Sequence, residues 1–190
     1  MNLKRSAILV LLCLPLNVVA KSGSRDLDSA ERKIDHVEAN ARSPRPSQTP
    51  TVFSEAEVNA YLASDHVRLP AGVESVKLEG EDGVITGNAR VDFDRIREGA
   101  HSSNPLLSVF SGIHDVVVVA HAHGSQGKGH VHVDSVSIDD VEVPRFVLQL
   151  FVDKFLTPKY PDLGIDSQFA LADRIDDATV GTHELTIIQK

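Results

Sequence analysis

The sequence predicts an α+β domain: a curved antiparallel β-sheet wrapped around a long apolar helix at 144–156, preceded by a short helix. Three observations carry this. Helix, strands, helix and strands follow one another, with turn residues between successive strands, an order that keeps helices apart from an antiparallel sheet. The strand segments alternate apolar and polar residues, as a sheet with one wet and one dry face does. The run PRFVLQLFVDKFL at 144–156 is apolar on nearly every side, the pattern of a buried helix.

Composition sets the outer bounds. The chain has 190 residues, 42% hydrophobic and 24% charged, an ordinary globular balance for one domain or two small ones. Nineteen Lys and Arg against 27 Asp and Glu give a formal charge of −8. Nucleic-acid binding calls for a basic face, so no nucleic-acid partner is expected.

Residues 1–20 (MNLKRSAILVLLCLPLNVVA) combine basic Lys4 and Arg5, an apolar stretch from Ala7 to Leu16, and Val18-Val19-Ala20 before a cleavage point. This is the pattern of a secretory signal peptide, and it places the mature chain in the periplasm or outside the cell. Cys13 is the only cysteine. Leu12 before it is too large for a lipidation signal, and cleavage after Ala20 leaves a chain held by its core without disulfides.

Residues 21–50 contain no aromatic residue and only Leu27, Ile34 and Val37 as large aliphatics. So little apolar surface does not offset the entropy of ordering, which predicts a disordered polar linker with a transient helix at most. The single folded domain then spans 51–190. It opens on Ser54 and Glu57, spaced as a capping box, with Phe53 and Val58 as a hydrophobic staple. Val58, Tyr61 and Leu62 share the apolar face of the short helix that follows.

Alternation over 73–78 and 84–93, split by Gly80-Glu81-Asp82-Gly83, predicts a hairpin. A loop covers 99–112. A second hairpin joins 113–123 to 130–138, with Gly124 to Gly129 as its turn. The apolar helix begins at Pro144, which suits a first helical turn, and ends at Pro158. Two strands, 168–172 and 177–188, close the chain, the second folding back at Gly181-Thr182.

Four histidines sit on the second hairpin. With Gly124 to Gly129 as the turn, His123 lies opposite His130 and His121 opposite His132, so four imidazoles and Asp134 share one face. Imidazole suits zinc or copper, which makes these four the candidate metal ligands; a plain polar face is the alternative. Ala120, Ala122, Val131 and Val133 lie on the other side of the same hairpin, small enough to leave room against the helix. A ligand cavity and a closed core both fit that pattern.

Two stretches resemble bacterial periplasmic one-domain members of the tubular lipid-binding superfamily, which includes the SMP domains and the bactericidal/permeability-increasing proteins. They are FSEAEVNAYL at 53–62 and GHVHVDSVSIDDVEVPRFVLQLFVDKFL at 129–156. The resemblance implies a highly curved sheet enclosing a long helix, an apolar tunnel for acyl chains, and no catalytic residue.

No Gly-x-Ser-x-Gly elbow is present. The Gly124 to Gly129 segment has no helix after it, as a phosphate loop would. His114-Asp115, Asp139-Asp140 and Asp176-Asp177 are neighbours that point to opposite faces of a strand or sit in turns. No enzyme is expected. The expected function is binding of a lipid or other apolar ligand between sheet and helix, with peripheral membrane contact as a corollary. Tyr61, Leu62, Ala120, Ala122, Val131, Val133, Phe146, Leu150, Phe151 and Phe155 are its candidate lining residues. Two rivals stand beside it: an envelope module with a closed core that meets a protein partner, and a metal-binding protein that uses the histidine hairpin.

Overall fold

The computed structural model describes residues 24–98, 105–108 and 110–190. The signal-peptide segment 1–20 lies outside them, as does part of the loop at 99–112. No described helix is long and apolar enough to cross a membrane.

Nine strands form one antiparallel sheet: β1 (Thr51–Ser54), β2 (Val73–Glu81), β3 (Val84–Asp92), β4 (Ile113–Ser125), β5 (Lys128–Ile138), β6 (Val141–Glu142), β7 (Asp166–Ala170), β8 (Ile175–Gly181) and β9 (Glu184–Gln189). Among the described residues, four α-helices accompany it: α1 (Ser24–Ala41), α2 (Glu55–Leu62), α3 (Phe93–Ile96) and α4 (Arg145–Phe151). The main path runs β1-β9-β8-β4-β3-β2, and β5 pairs with β4, β6 and β7. β4 is the hub. It pairs with β3 from Ile113 to His121, with β5 from Val116 to Ser125, and meets β8 at His123 and Gly124.

Turn chemistry sets the hairpin registers. Asp82 and Gly83 join β2 to β3 with φ of 41° and 86°, and Gln126 and Gly127 join β4 to β5 with φ of 52° and 74°. Two-residue turns with positive φ at both positions match the right-handed twist of the flanking strands. The Asp82-Gly83 tip does not end in solvent. Gly83 N–H donates to Val180 O at 2.8 Å, and His183 N–H donates to Gly80 O at 2.8 Å. The first hairpin is thereby tied to the β8–β9 hairpin.

The structure corrects the predicted fold class. No sheet wraps around a long helix, because no long apolar helix is present among the described residues. The run 144–156 divides into the seven-residue α4 and a π turn at Val152–Leu156, where Thr157 N–H donates to Val152 O at 2.9 Å. Val147, Phe151 and Phe155, spaced four apart on one face, are buried together with Val152, and this set docks the segment on the sheet. The apolar residues on its outer side are not covered: Phe146 is 61% and Leu150 38% exposed.

The expectation of a disordered linker over 21–50 is corrected over Ser24–Ala41. These residues form the 18-residue helix α1. Leu27, Ala30, Ile34 and Val37 recur at intervals of three, four and three, one stripe of a helix. Ala30, Ile34 and Val37 are buried, and all four join a core with Phe53, Tyr61, Leu62, Leu78, Ile175 and Ile187. A docked helix needs only such a stripe, so counting aliphatics understated what the segment can bury. Polar contacts anchor its middle and its C-terminal end. Lys33 donates to Glu57 at 2.6 Å, Asn40 to Gln189 Oε1 at 2.8 Å, and the buried Gln189 to Val37 O at 2.9 Å.

A second core lies at the other end of the sheet. Val91, Val116, Val136 and Ile138 face Val143, Val147, Phe151 and Phe155, with Phe93 and Phe110 between them. The molecule thus has two apolar centres on one sheet, one under α1 and α2, the other under α4 and its π turn.

Candidate functional site

The second core is incompletely filled. A cavity of about 280 Å³ remains between sheet and helix. Val91, Val116, Val118, Val133 and Val136 form its floor, and Leu148, Phe151, Val152 and Leu156 its roof. Alternation places the floor. Val116, Val118 and Ala120 point to the helix side of β4, while Val117, Val119 and His121 point away. A bulge between Val119 and Ala120 sets Val133 opposite Ala120 and skips Asp134 on β5. Past the bulge, Val136 and Ile138 still face the helix.

Phenylalanines build one wall. Phe110 stacks on Phe151 with centroids 4.1 Å apart, and Phe93 meets both edge-on at 5.4 and 5.7 Å. The π turn begins immediately after Phe151. Such local widening of a helix shifts the faces of the residues after it. Lys159 and Tyr160 line the cavity beyond the helix, and Lys159 is exposed, so the cavity reaches the surface there. Lys159 Nζ donates to Ile96 O at 2.7 Å, which ties this mouth to α3.

A smaller cavity of about 90 Å³ sits in the first core, lined by Ala30, Ile34, Phe53, Tyr61 and Leu185 among others. Glu57 borders it and is 5% exposed. Burial pushes its carboxyl pKa up, but hydrogen bonds from Lys33, Ser29 and the Ser54 N–H outweigh burial and hold it at about 2.

The candidate lining residues divide. Val133 and Phe151 line the large cavity, and Tyr61 lines the small one. Leu62, Ala120, Ala122 and Phe155 are buried in the core. Val131 pairs with Ala122 and borders the histidine face. Phe146 and Leu150 stand on the exposed side of α4 and line neither of these two cavities. Sequence reasoning missed Val116, Val118, Val136, Leu148 and Val152. The signal for the first three lay in the alternation of β4 and β5 carried past the histidines; for the last two it lay in spacing from Phe151.

On the opposite face of the sheet, His121 pairs with His132 and His123 with His130. The His123 and His130 rings stack 4.9 Å apart at 10°. β7 adds Asp166 opposite His132 and Gln168 opposite His130. A depression of about 380 Å³ is lined by the four histidines, Asp166 and Gln168. His121 Nδ1 hydrogen-bonds Asp134 at 2.7 Å, and His132 Nδ1 hydrogen-bonds Asp166. Among the described residues, no group of three or more His, Cys, Asp or Glu side chains is placed so that it could hold a metal ion.

No family model, curated protein or solved structure matches this chain.

Proposed function

We propose that the protein binds a lipid or other apolar ligand, without catalysis, in the cavity between β3-β4-β5 and the α4 segment. The observation that carries this reading is the unfilled, valine-floored space of about 280 Å³ that reaches the surface beside Lys159. Protein interiors are normally close-packed, and a void of this size forfeits contacts on every side. Its volume falls just under the ~300–1,000 Å³ range of ligand pockets, the scale of one acyl tail and not of a whole phospholipid.

The mechanism is desolvation. Each methylene moved from water into the cavity contributes about 0.8 kcal/mol. The valine floor and phenylalanine wall present no buried charge, so an apolar chain enters without orphaning a polar group. Lys159 at the mouth suits a carboxylate or phosphate headgroup. The resemblance of 53–62 and 129–156 to the tubular lipid-binding superfamily points the same way, as does the signal-peptide pattern of 1–20, which puts the site in the periplasm or outside the cell.

Titration of delipidated protein with a fluorescent fatty acid tests the reading. Saturable one-to-one binding, displaced by unlabelled fatty acid and weakened at least tenfold by Val118→Phe, supports it. Absence of binding, or binding indifferent to Val118→Phe in a variant with unchanged circular dichroism, contradicts it.

A further inference from the structure

We propose that the cavity between sheet and α4 selects a single-tailed amphiphile with an oxyanion head, a carboxylate or phosphate monoester, and a tail of about nine carbons. Lys159 holds the head, and Val133 and Ile165 stop the tail. This inference rests on the apolar-ligand reading above and names the ligand class for the same cavity.

The register gives the cavity two unlike ends. Val91 pairs with His114, and Val133 pairs with Ala120. From His114 to Ala120 the strand β4 advances about 20 Å at ~3.4 Å per residue. Val91 and Val133 both line the cavity, so it is elongated along the strand. α3 follows directly on β3 beyond Val91 and brings Ile96 to the first end. Lys159 Nζ donates to Ile96 O at 2.7 Å, which puts the ammonium at that end. At the second end Val133 N–H donates to Ile165 O at 2.8 Å, and Ile165 is buried.

Charge distinguishes the two ends. Among the described residues, Lys159 is the only charged one in the lining. Its aliphatic stem runs along the apolar wall while the ammonium stays at the surface, as lysines do at such borders. An ammonium has three donors. Its described partner is a backbone carbonyl, not a carboxylate, so its charge is not neutralised. Arg145 reaches Val133 O at the second end from outside, but there Asp166 balances it at 3.7 Å.

Volume sets the tail. At ~30 Å³ for a group the size of a water or a methylene, the cavity of about 280 Å³ holds about nine such groups. A second tail has no room. A longer single tail meets Val133 and Ile165 and pushes its head past Lys159, so head recognition and tail length are coupled.

Displacement of a fluorescent fatty acid from the delipidated protein by decanoate, decyl phosphate and decanol tests this. At least one anion should bind about threefold or more tightly than decanol. Lys159→Met should remove that advantage and Lys159→Arg should keep it. Lys154→Met, on an exposed residue outside the lining, should leave it unchanged. The tighter anion identifies the head. From hexanoate to hexadecanoate, affinity should rise about fourfold per methylene as far as decanoate and then level off, with the effect of Lys159→Met fading beyond that length. Unchanged circular dichroism is required of each variant. Decanol as tight as both anions, an advantage that survives Lys159→Met, or a rise that continues unbroken to hexadecanoate overturns the proposal and leaves apolar binding in place. If none of the three displaces the probe, the apolar-ligand reading fails and this proposal with it.

Discussion

Lys33 of α1 lies 2.6 Å from the same Glu57 oxygen that receives the Ser54 N–H at 2.7 Å. One carboxylate therefore closes the capping box of α2 and clamps α1 onto α2. Lys33→Met should leave a buried carboxylate without its cation and cost about 1–3 kcal/mol, below the full penalty for a buried pair because Lys33 is one-third exposed. Urea unfolding of the variant measures it.

The same pair sets an acid limit. Glu57 is held at about 2 in the folded chain against an ordinary 4.5. A depressed carboxyl stabilises the fold above its unfolded pKa, and that contribution disappears as pH falls from about 4.5 towards 2. Stability measured across that window should drop, and Glu57→Gln should be less stable at neutral pH yet show a shallower acid slope. An unchanged slope in the variant would place the acid sensitivity elsewhere.

His114 has the opposite sign. Its hydrogen bond to Asp139 at 2.5 Å, with a second to Ser111 O at 2.7 Å, raises its pKa above 6.5. The stabilisation is present below pH 6.5 and is lost as pH rises through the folded value. Proton NMR should show His114 titrating above 6.5, and Asp139→Asn should bring it down.

Gly124 marks where β4 meets β8. A Cβ there would stand 2.8 Å from both Ala178 Cβ and Leu171 Cδ1 and 3.1 Å from the Ala178 backbone nitrogen. Gly124→Ala should cost about 1–3 kcal/mol through overpacking, seen as a lower melting temperature. A neutral effect would mean that the β4–β8 junction is looser than described.

Local chemistry in the chain carried much of the strand and cap detail. Ser54 and Glu57 announced their capping box, and the glycine-bounded segment from Gly124 to Gly129 announced the turn that sets which histidine faces which. Two long-range outcomes were not legible. Ile34 and Val37 are isolated in a polar stretch, and only the partners contributed by Phe53, Tyr61 and Ile187 make their burial worthwhile. Phe146 and Leu150 look as apolar as Val147 and Phe151, but which side of α4 meets the sheet depends on where the floor valines stand. A helix apolar all round fits burial from every side; this one is covered on one side and ends in a π turn after two turns. The cavity itself arises from how valines fail to fill the space beneath Leu148 and Phe151, a matter of volume that no residue pattern encodes.

Methyl NMR of the delipidated protein during addition of a medium-chain fatty acid tests the central claim most directly. The account predicts saturable shifts at Val118, Val133, Val136 and Leu148, with nuclear Overhauser contacts from these methyls to the acyl chain. Shifts absent at saturating ligand, or confined to the outer side chain of Leu150, would contradict it.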